Sequence, residues 1–230
     1  MGNKALGILG GMGPYATASF FNKILTLTPA QKDWDHMRII LDNNPHIPSR
    51  TRHILYQEES PVPQMIACCK KLESYPVDLI VIPCNSACYF IDQVRPHVDI
   101  EVANIIEITS DYASQGIGRS ANCLVFGGHI TYTFKTYNPF LKDRGLKYVH
   151  HSPEDQAVVE DFIEKIKISG NSSSLEGELV HFTNKMMEKF NAELVILGCT
   201  EFGCLQKSSL KDRIVDSNHS LAKYVVGKVL

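Results

Sequence analysis

The sequence predicts an α/β protein of two pseudo-symmetric lobes, each a parallel sheet flanked by helices. Three observations carry this. Apolar runs of strand length alternate with amphipathic segments along the whole chain, the pattern of parallel sheets covered on both faces. "DLIVIPCNSA" (78–87) returns as "ELVILGCTEF" (193–202), with acid, apolar run and cysteine in the same places. "ALGILGG" (5–11) returns as "NCLVFGG" (122–128) at nearly the same offset. Elements that recur in order and spacing point to two units of like topology.

In chain order, "KALGIL" (4–9), "MRIILD" (37–42), "DLIVIP" (78–83), "ANCLVF" (121–126), "LKYVH" (146–150), "ELVILG" (193–198) and "RIVD" (213–216) read as buried strands. Helical patterns occupy 14–27, 61–74, 86–95, 153–168, 174–190 and 217–229, with apolar residues returning every three or four positions. Pro14 suits a helix start, where its missing N–H costs nothing. "SGNSSS" (169–174) reads as a loop between helices. The expected lobes are 1–104 with 211–230 returning to it, and 105–210.

Bulk properties narrow the function. The 230 residues carry a net charge of −2, are 44% hydrophobic and 21% charged, and hold no apolar run of membrane-spanning length. Neither nucleic acid nor a membrane is expected as a partner. The N-terminal "MGNKALGILGGMG" lacks the basic and long apolar regions of a signal peptide. Seven cysteines, an odd number, argue against a disulfide framework and for the reducing cytoplasm. Thiols there are packing residues, metal ligands or reagents.

"GILGGMGPYATA" (7–18) follows a strand and opens a helix. Gly11, Gly13 and Ala16 fit a dinucleotide fingerprint, but the best candidate for its acid, Asp42, lies beyond the usual spacing. Three readings stay open for this turn: a tight bend that needs glycine, a backbone N–H nest for a small carboxylate, or a nucleotide site.

Cys84 and Cys199 each close a strand, where open α/β sheets bind ligands. Asn85 and Ser86 follow one, Thr200 the other, and these residue types cap helices. A thiol at a helix N-terminus has its anion favoured, so a reference pKa of ~8.5 can fall toward neutrality. Two such thiols across one substrate suit a single chemistry well. One thiolate removes a proton from a tetrahedral carbon and the opposite thiol returns one to the other face. The carbon must lie next to a carboxylate, whose developing charge needs N–H and hydroxyl donors. Zinc between Cys84, Cys88, Cys199 and Cys204 is disfavoured because their spacings are not the short knuckles of structural sites. Cys68, Cys69 and Cys123 read as packing residues, and His150-His151 as a solvated turn.

With these residues in place, the sequence resembles the cofactor-independent aspartate racemases of the aspartate/glutamate racemase superfamily. "GILGGMGPYAT" (7–17), "NNPHIPSRT" (43–51), "PCNSA" (83–87) and "GCTEF" (198–202) carry the resemblance, which covers nearly the whole chain. It implies an active site in the cleft between two lobes, Cys84 and Cys199 as acid/bases, no cofactor, no metal and commonly a homodimer. Asn85, Ser86 and Thr200 would bind the α-carboxylate and α-amino groups, and Gly11 and Met12 would contribute from the first turn. Arg50 would take the side-chain carboxylate, and Glu201 matches the acid after Cys-Thr. Three positions depart from the family: Cys88 stands where His is common, and His129 where a Thr-Gly-Thr turn is common. A family lysine aligns with Ile168, one position from Lys167. His129 and Lys167 are therefore candidate substrate contacts. The implied reaction is the interconversion of L- and D-aspartate, or of glutamate. Alternatives are a related enzyme (maleate isomerase, hydantoin racemase, malonate decarboxylase), a non-catalytic acidic amino-acid binding protein, and a nucleotide-binding oxidoreductase.

Overall fold

The computed structural model describes residues 4–115, 117–170, 173–205 and 213–230. The chain divides into two compact units. The first runs to Ile105 and takes back Leu221–Leu230, and the second is Ile106–Ser220.

In the first unit, four parallel strands, β1 (Ala5–Gly10), β2 (Arg38–Asn43), β3 (Leu79–Val81) and β4 (Val102–Ala103), stand in the order β2-β1-β3-β4. The helices α1 (Pro14–Leu27), α2 (Arg50–Tyr56), α3 (Val62–Glu73) and α4 (Ile91–Val94) lie between them, and α5 (Ile105–Gln115) leads into the second unit. Every residue of β1 is buried, as a central strand covered on both faces requires. Pro14 does open α1, with Gly13 as its cap.

The second unit repeats this plan. The strands β5 (Asn122–Phe126), β6 (Lys147–Val149), β7 (Leu194–Leu197) and β8 (Ile214–Asp216) are parallel and ordered β6-β5-β7-β8. The helices are α6 (His129–Thr133), α7 (Asn138–Asp143), α8 (Pro153–Ser169) and α9 (Ser173–Lys189), and α10 (Ser217–Val229) starts here and passes into the first unit at Leu221. α8 buries Val159, Phe162, Ile163 and Ile166, one face at helical spacing, against Leu124, Phe126, Val195 and Leu197 of the sheet. Ser152 caps α8 by accepting from the Asp155 N–H. Of the loop read over 169–174, Asn171 and Ser172 lie outside the described residues, and Ser173 already belongs to α9.

The repeated acid has a structural task. Asp78 Oδ2 accepts from the Ala5 N–H at 2.7 Å, and Glu193 Oε2 from the Asn122 N–H at 2.6 Å. Each acid, one residue before its own strand, thus holds the first backbone donor of the neighbouring strand. These bonds fix register where the ladder begins.

One expected assignment is corrected. The strand placed within 211–230 does not return to the first lobe: Ile214, Val215 and Asp216 pair with Val195, Ile196 and Leu197 of β7. The first sheet's fourth place is filled by β4, only two residues long, too short for period or apolar run to reveal. Only the part of α10 from Leu221 belongs to the first unit. Residues 211–212 lie outside the described residues.

In both sheets the chain winds one way from the first strand and the other way from the third. The topological switch point therefore lies between β1 and β3, and between β5 and β7. Ligands of open α/β sheets bind beyond the carboxyl ends of strands at such points.

Candidate active site

In the first unit, β1 runs into Gly10 and Gly11. An added Cβ at Gly10 would sit 2.3 Å from Thr17 Cγ2. Thr17, on α1, fills that space. Its hydroxyl accepts from the Gly11 N–H at 3.0 Å and donates to the Gly13 carbonyl at 2.9 Å. The Gly11 N–H is therefore engaged within the turn rather than offered outward. Met12, next along, is buried. Asp42, the acid considered for a ribose, faces Lys71 Nζ at 3.5 Å.

β3 ends at Val81, and Ile82-Pro83 carry the chain to Cys84, which is 6% exposed. The Cys84 N–H donates to the Ile82 carbonyl at 2.7 Å, a tight bend. Ser86–Phe90 then form a 3-10 turn with Asn85, 3% exposed, at its cap position and no side-chain cap bond. The expected continuous helix over 86–95 is thus a 3-10 turn followed by the four-residue α4. So short a helical segment aligns few peptide dipoles, and the thiol-activating dipole expected from sequence is correspondingly small. α2 packs on this turn, with the His53 and Phe90 rings 5.8 Å apart. Arg50, the first residue of α2, donates from Nη1 to the carbonyls of Ile47 at 3.2 Å and Pro48 at 2.9 Å. Its Nε is buried with no partner among the described residues. A guanidinium anchored at one nitrogen with a second buried donor unused is preorganised to receive an anion.

In the second unit, β7 leads through Gly198 to Cys199, followed by a five-residue 3-10 turn, Thr200–Cys204. The layout repeats that after Cys84. Cys199 Sγ donates to Glu201 Oε2 at 2.9 Å, and Glu201 is 3% exposed. Thr200 is buried, its carbonyl accepting from Asn218 Nδ2 at 3.1 Å. Lys167, near the end of α8, donates to Glu164 Oε1 at 2.6 Å. Burial works against its ammonium, but the bond to Glu164 and the charges of Glu201, Cys199 and Glu164 outweigh it and raise its pKa. Ile168 is 80% exposed. Lys167, not Ile168, is therefore the residue of this helix end that shares an electrostatic environment with Cys199.

The neighbouring turn after β5 abuts this one, because a Cβ on Gly127 would come within 3.2 Å of the Gly198 carbonyl oxygen. His129, expected in a loop, is the first residue of α6. Its Nε2 lies 3.3 Å from Thr133 Oγ1, and its Nδ1 is 3.7 Å from Glu160 Oε1. Gln156 donates to the Gly127 carbonyl at 2.9 Å and to Glu160 Oε1 at 2.8 Å. Its own Oε1 then accepts from His151 Nε2 at 2.9 Å, so His151 is 1% exposed rather than the solvated turn residue expected. Burial holds its pKa down, the direction of a neutral imidazole. Gln156, Glu160, Glu164 and Lys167 were not singled out together by sequence reasoning. Their spacing of four, four and three along one helix face is the signal that would have found them.

Cys68, Cys69 and Cys123 sort as packing residues. Burial pushes the Cys69 and Cys123 thiols up to about 12 and raises that of Cys68, the opposite of an activated nucleophile. Among the described residues no helix is long and apolar enough to cross a membrane.

Comparison with known proteins gives the family and the fold. Residues 9–225 match the family model described as Asp/Glu/Hydantoin racemase. The chain is 26% identical over 230 residues to the broad specificity amino-acid racemase RacX of Bacillus subtilis (strain 168), covering 98% of each. Its fold matches the Picrophilus torridus aspartate racemase with a TM-score of 0.86 at 27% identity, covering 98% of this chain and 94% of the other. The glutamate racemase of Francisella tularensis in complex with D-glutamate shares the fold, with a TM-score of 0.64, 15% identity, and coverage of 99% and 81%.

Proposed function

Because the chain belongs to the Asp/Glu/Hydantoin racemase family of isomerases, we propose that it interconverts L- and D-aspartate, or the glutamates, by two-base proton transfer between Cys84 and Cys199. The observation that carries this reading is the duplication. The third strand of each sheet leads within three residues to a cysteine, and a five-residue 3-10 turn follows each time. In this reading one cysteine, as thiolate, takes the α-proton and the other, as thiol, delivers a proton to the opposite face of the carbanion. Asn85, Ser86 and Thr200, with backbone donors near Met12, hold the α-carboxylate and stabilise the charge that builds on it. Arg50 and Lys167 receive the side-chain carboxylate. His129 borders the site from the turn after β5 and tunes which side chain fits.

The test is proton NMR of L-aspartate, D-aspartate and both glutamates in deuterated buffer with the protein. Loss of the α-proton signal, with circular dichroism decaying to zero, is the expected result for aspartate or glutamate. No exchange with any of the four rules the acidic-substrate reading out. The similarity to a broad-specificity racemase favours a second reading, in which neutral or basic amino acids are also turned over. A panel of side chains in the same assay separates the two.

Arg50→Lys probes the same proposal. Lysine has one nitrogen, so an ammonium held at the Ile47 and Pro48 carbonyls leaves the position of Arg50 Nε without a donor. The expected outcome is a KM for aspartate about tenfold higher or more, with a smaller change in kcat. An unchanged KM in steady-state kinetics would remove Arg50 from the substrate site.

A further inference from the structure

The acid beside Cys199 has a geometry that substrate binding does not explain. Glu201 is almost fully buried, and one of its oxygens is 2.9 Å from the Cys199 sulfur. We propose that Glu201 is a positioning residue that holds Cys199 in its protonated form in the resting enzyme. The proposal rests on the two-cysteine reading above and adds an asymmetry to it: the resting molecule offers Cys84 as the base and Cys199 as the acid.

The groups around the pair decide the direction. An ionised carboxylate can only accept, so the hydrogen in this contact belongs to sulfur. A carboxylate at hydrogen-bond distance disfavours a second anion there. From α8, Lys167 opposes this, since its charge interacts with both Glu201 and Cys199. Its hydrogen bond, however, goes to Glu164. A field acting at longer range is weaker than a direct contact. β8 packs on the turn, and its Asp216 Oδ1 accepts from the Asn218 N–H at 2.9 Å and the His219 N–H at 3.4 Å at the start of α10. Tyr137 stands against Gly198 on the remaining side, its ring within 3.0 Å of where a Cβ would be.

The step balances without any co-reactant. The Cys84 thiolate gains the α-proton of the substrate, and Cys199 gives its S–H proton to the other face, leaving a Cys199 thiolate against the Glu201 carboxylate. That like-charged pair is unfavourable, so a proton from water returns to Cys199 as Cys84 releases its own.

The experiment is alkylation of Cys199 by iodoacetamide in the full-length protein, followed by peptide mass spectrometry across pH. Glu201→Gln keeps the shape and removes the charge. The midpoint for Cys199 is expected to fall by about one pH unit, or about tenfold faster labelling at a fixed pH below it. An unchanged or higher midpoint overturns the proposal. If Glu201→Gln does not fold, the infrared difference between wild type and Cys199→Ala decides. An S–H stretch shifted to low frequency supports the bond to Glu201, and one at the ordinary position of a weakly bonded thiol refutes it. Neither readout uses an amino-acid substrate, so their failure is distinct from failure of the racemase assay.

Discussion

Cys84→Ser and Cys199→Ser are each expected to lower kcat/KM for racemisation of aspartate by about 10²–10⁴-fold, the usual worth of one general acid or base. A serine hydroxyl keeps the shape but does not supply a base near neutral pH. The two variants are also expected to differ in kind. With only Cys84 intact, one enantiomer still exchanges its α-proton with deuterated solvent and keeps its configuration. With only Cys199 intact, the other enantiomer does so. Following the NMR signal and the optical activity together separates exchange from inversion. Full racemisation by either variant would sink the two-base proposal, because a single thiol cannot reach both faces of one carbon.

Gly11→Ala should produce the largest loss of stability. Gly11 has φ +94°, which L side chains rarely adopt, and its Cβ would fall 2.3 Å from the carbonyl carbon of Asn44 and 2.4 Å from its oxygen. These are backbone atoms, held by the Asn44 N–H to the Gly10 carbonyl at 3.2 Å, and they cannot rotate aside. Strain of this kind, with the overlap added, costs about 3 kcal/mol or more. In a chain of this size that corresponds to a melting temperature lower by on the order of 10 °C. Gly177→Ala on α9 is the control: nothing lies within 4 Å of its added Cβ, and alanine in a helix interior stabilises by about 0.5–1 kcal/mol. Equal melting temperatures for the two variants would show that the β1–α1 turn relaxes, and that the close approach of Asn44 is not a constraint.

Much of this molecule is legible before any coordinates are seen. α1 and α10 begin and end where period and proline placed them, and seven of the eight strands among the described residues are visible as apolar runs. The recurrence of an acid, a strand and a cysteine revealed the duplicated sheet, because strand periodicity and turn chemistry are local properties written in neighbouring residues. The same recurrence singled out Cys84 and Cys199 among seven cysteines. Local pattern does not reveal β4, since two residues carry no period, nor that Ile214–Asp216 pairs with β7 rather than with the first sheet. Nor did it show that the repeated acids tie down the neighbouring strands, that His151 is buried under Gln156, or that Glu201 meets the thiol two residues before it. Lys167 and Ile168 are adjacent in sequence and about 100° apart on the helix, and only the rotation of α8, set by packing Val159, Phe162, Ile163 and Ile166 on the sheet, turns the lysine toward Cys199. The sequence by itself determined most of the elements, their repeat and the matched positions of Cys84 and Cys199. The tertiary structure decided which charged side chains stand beside them, because that depends on contacts between residues far apart in the chain.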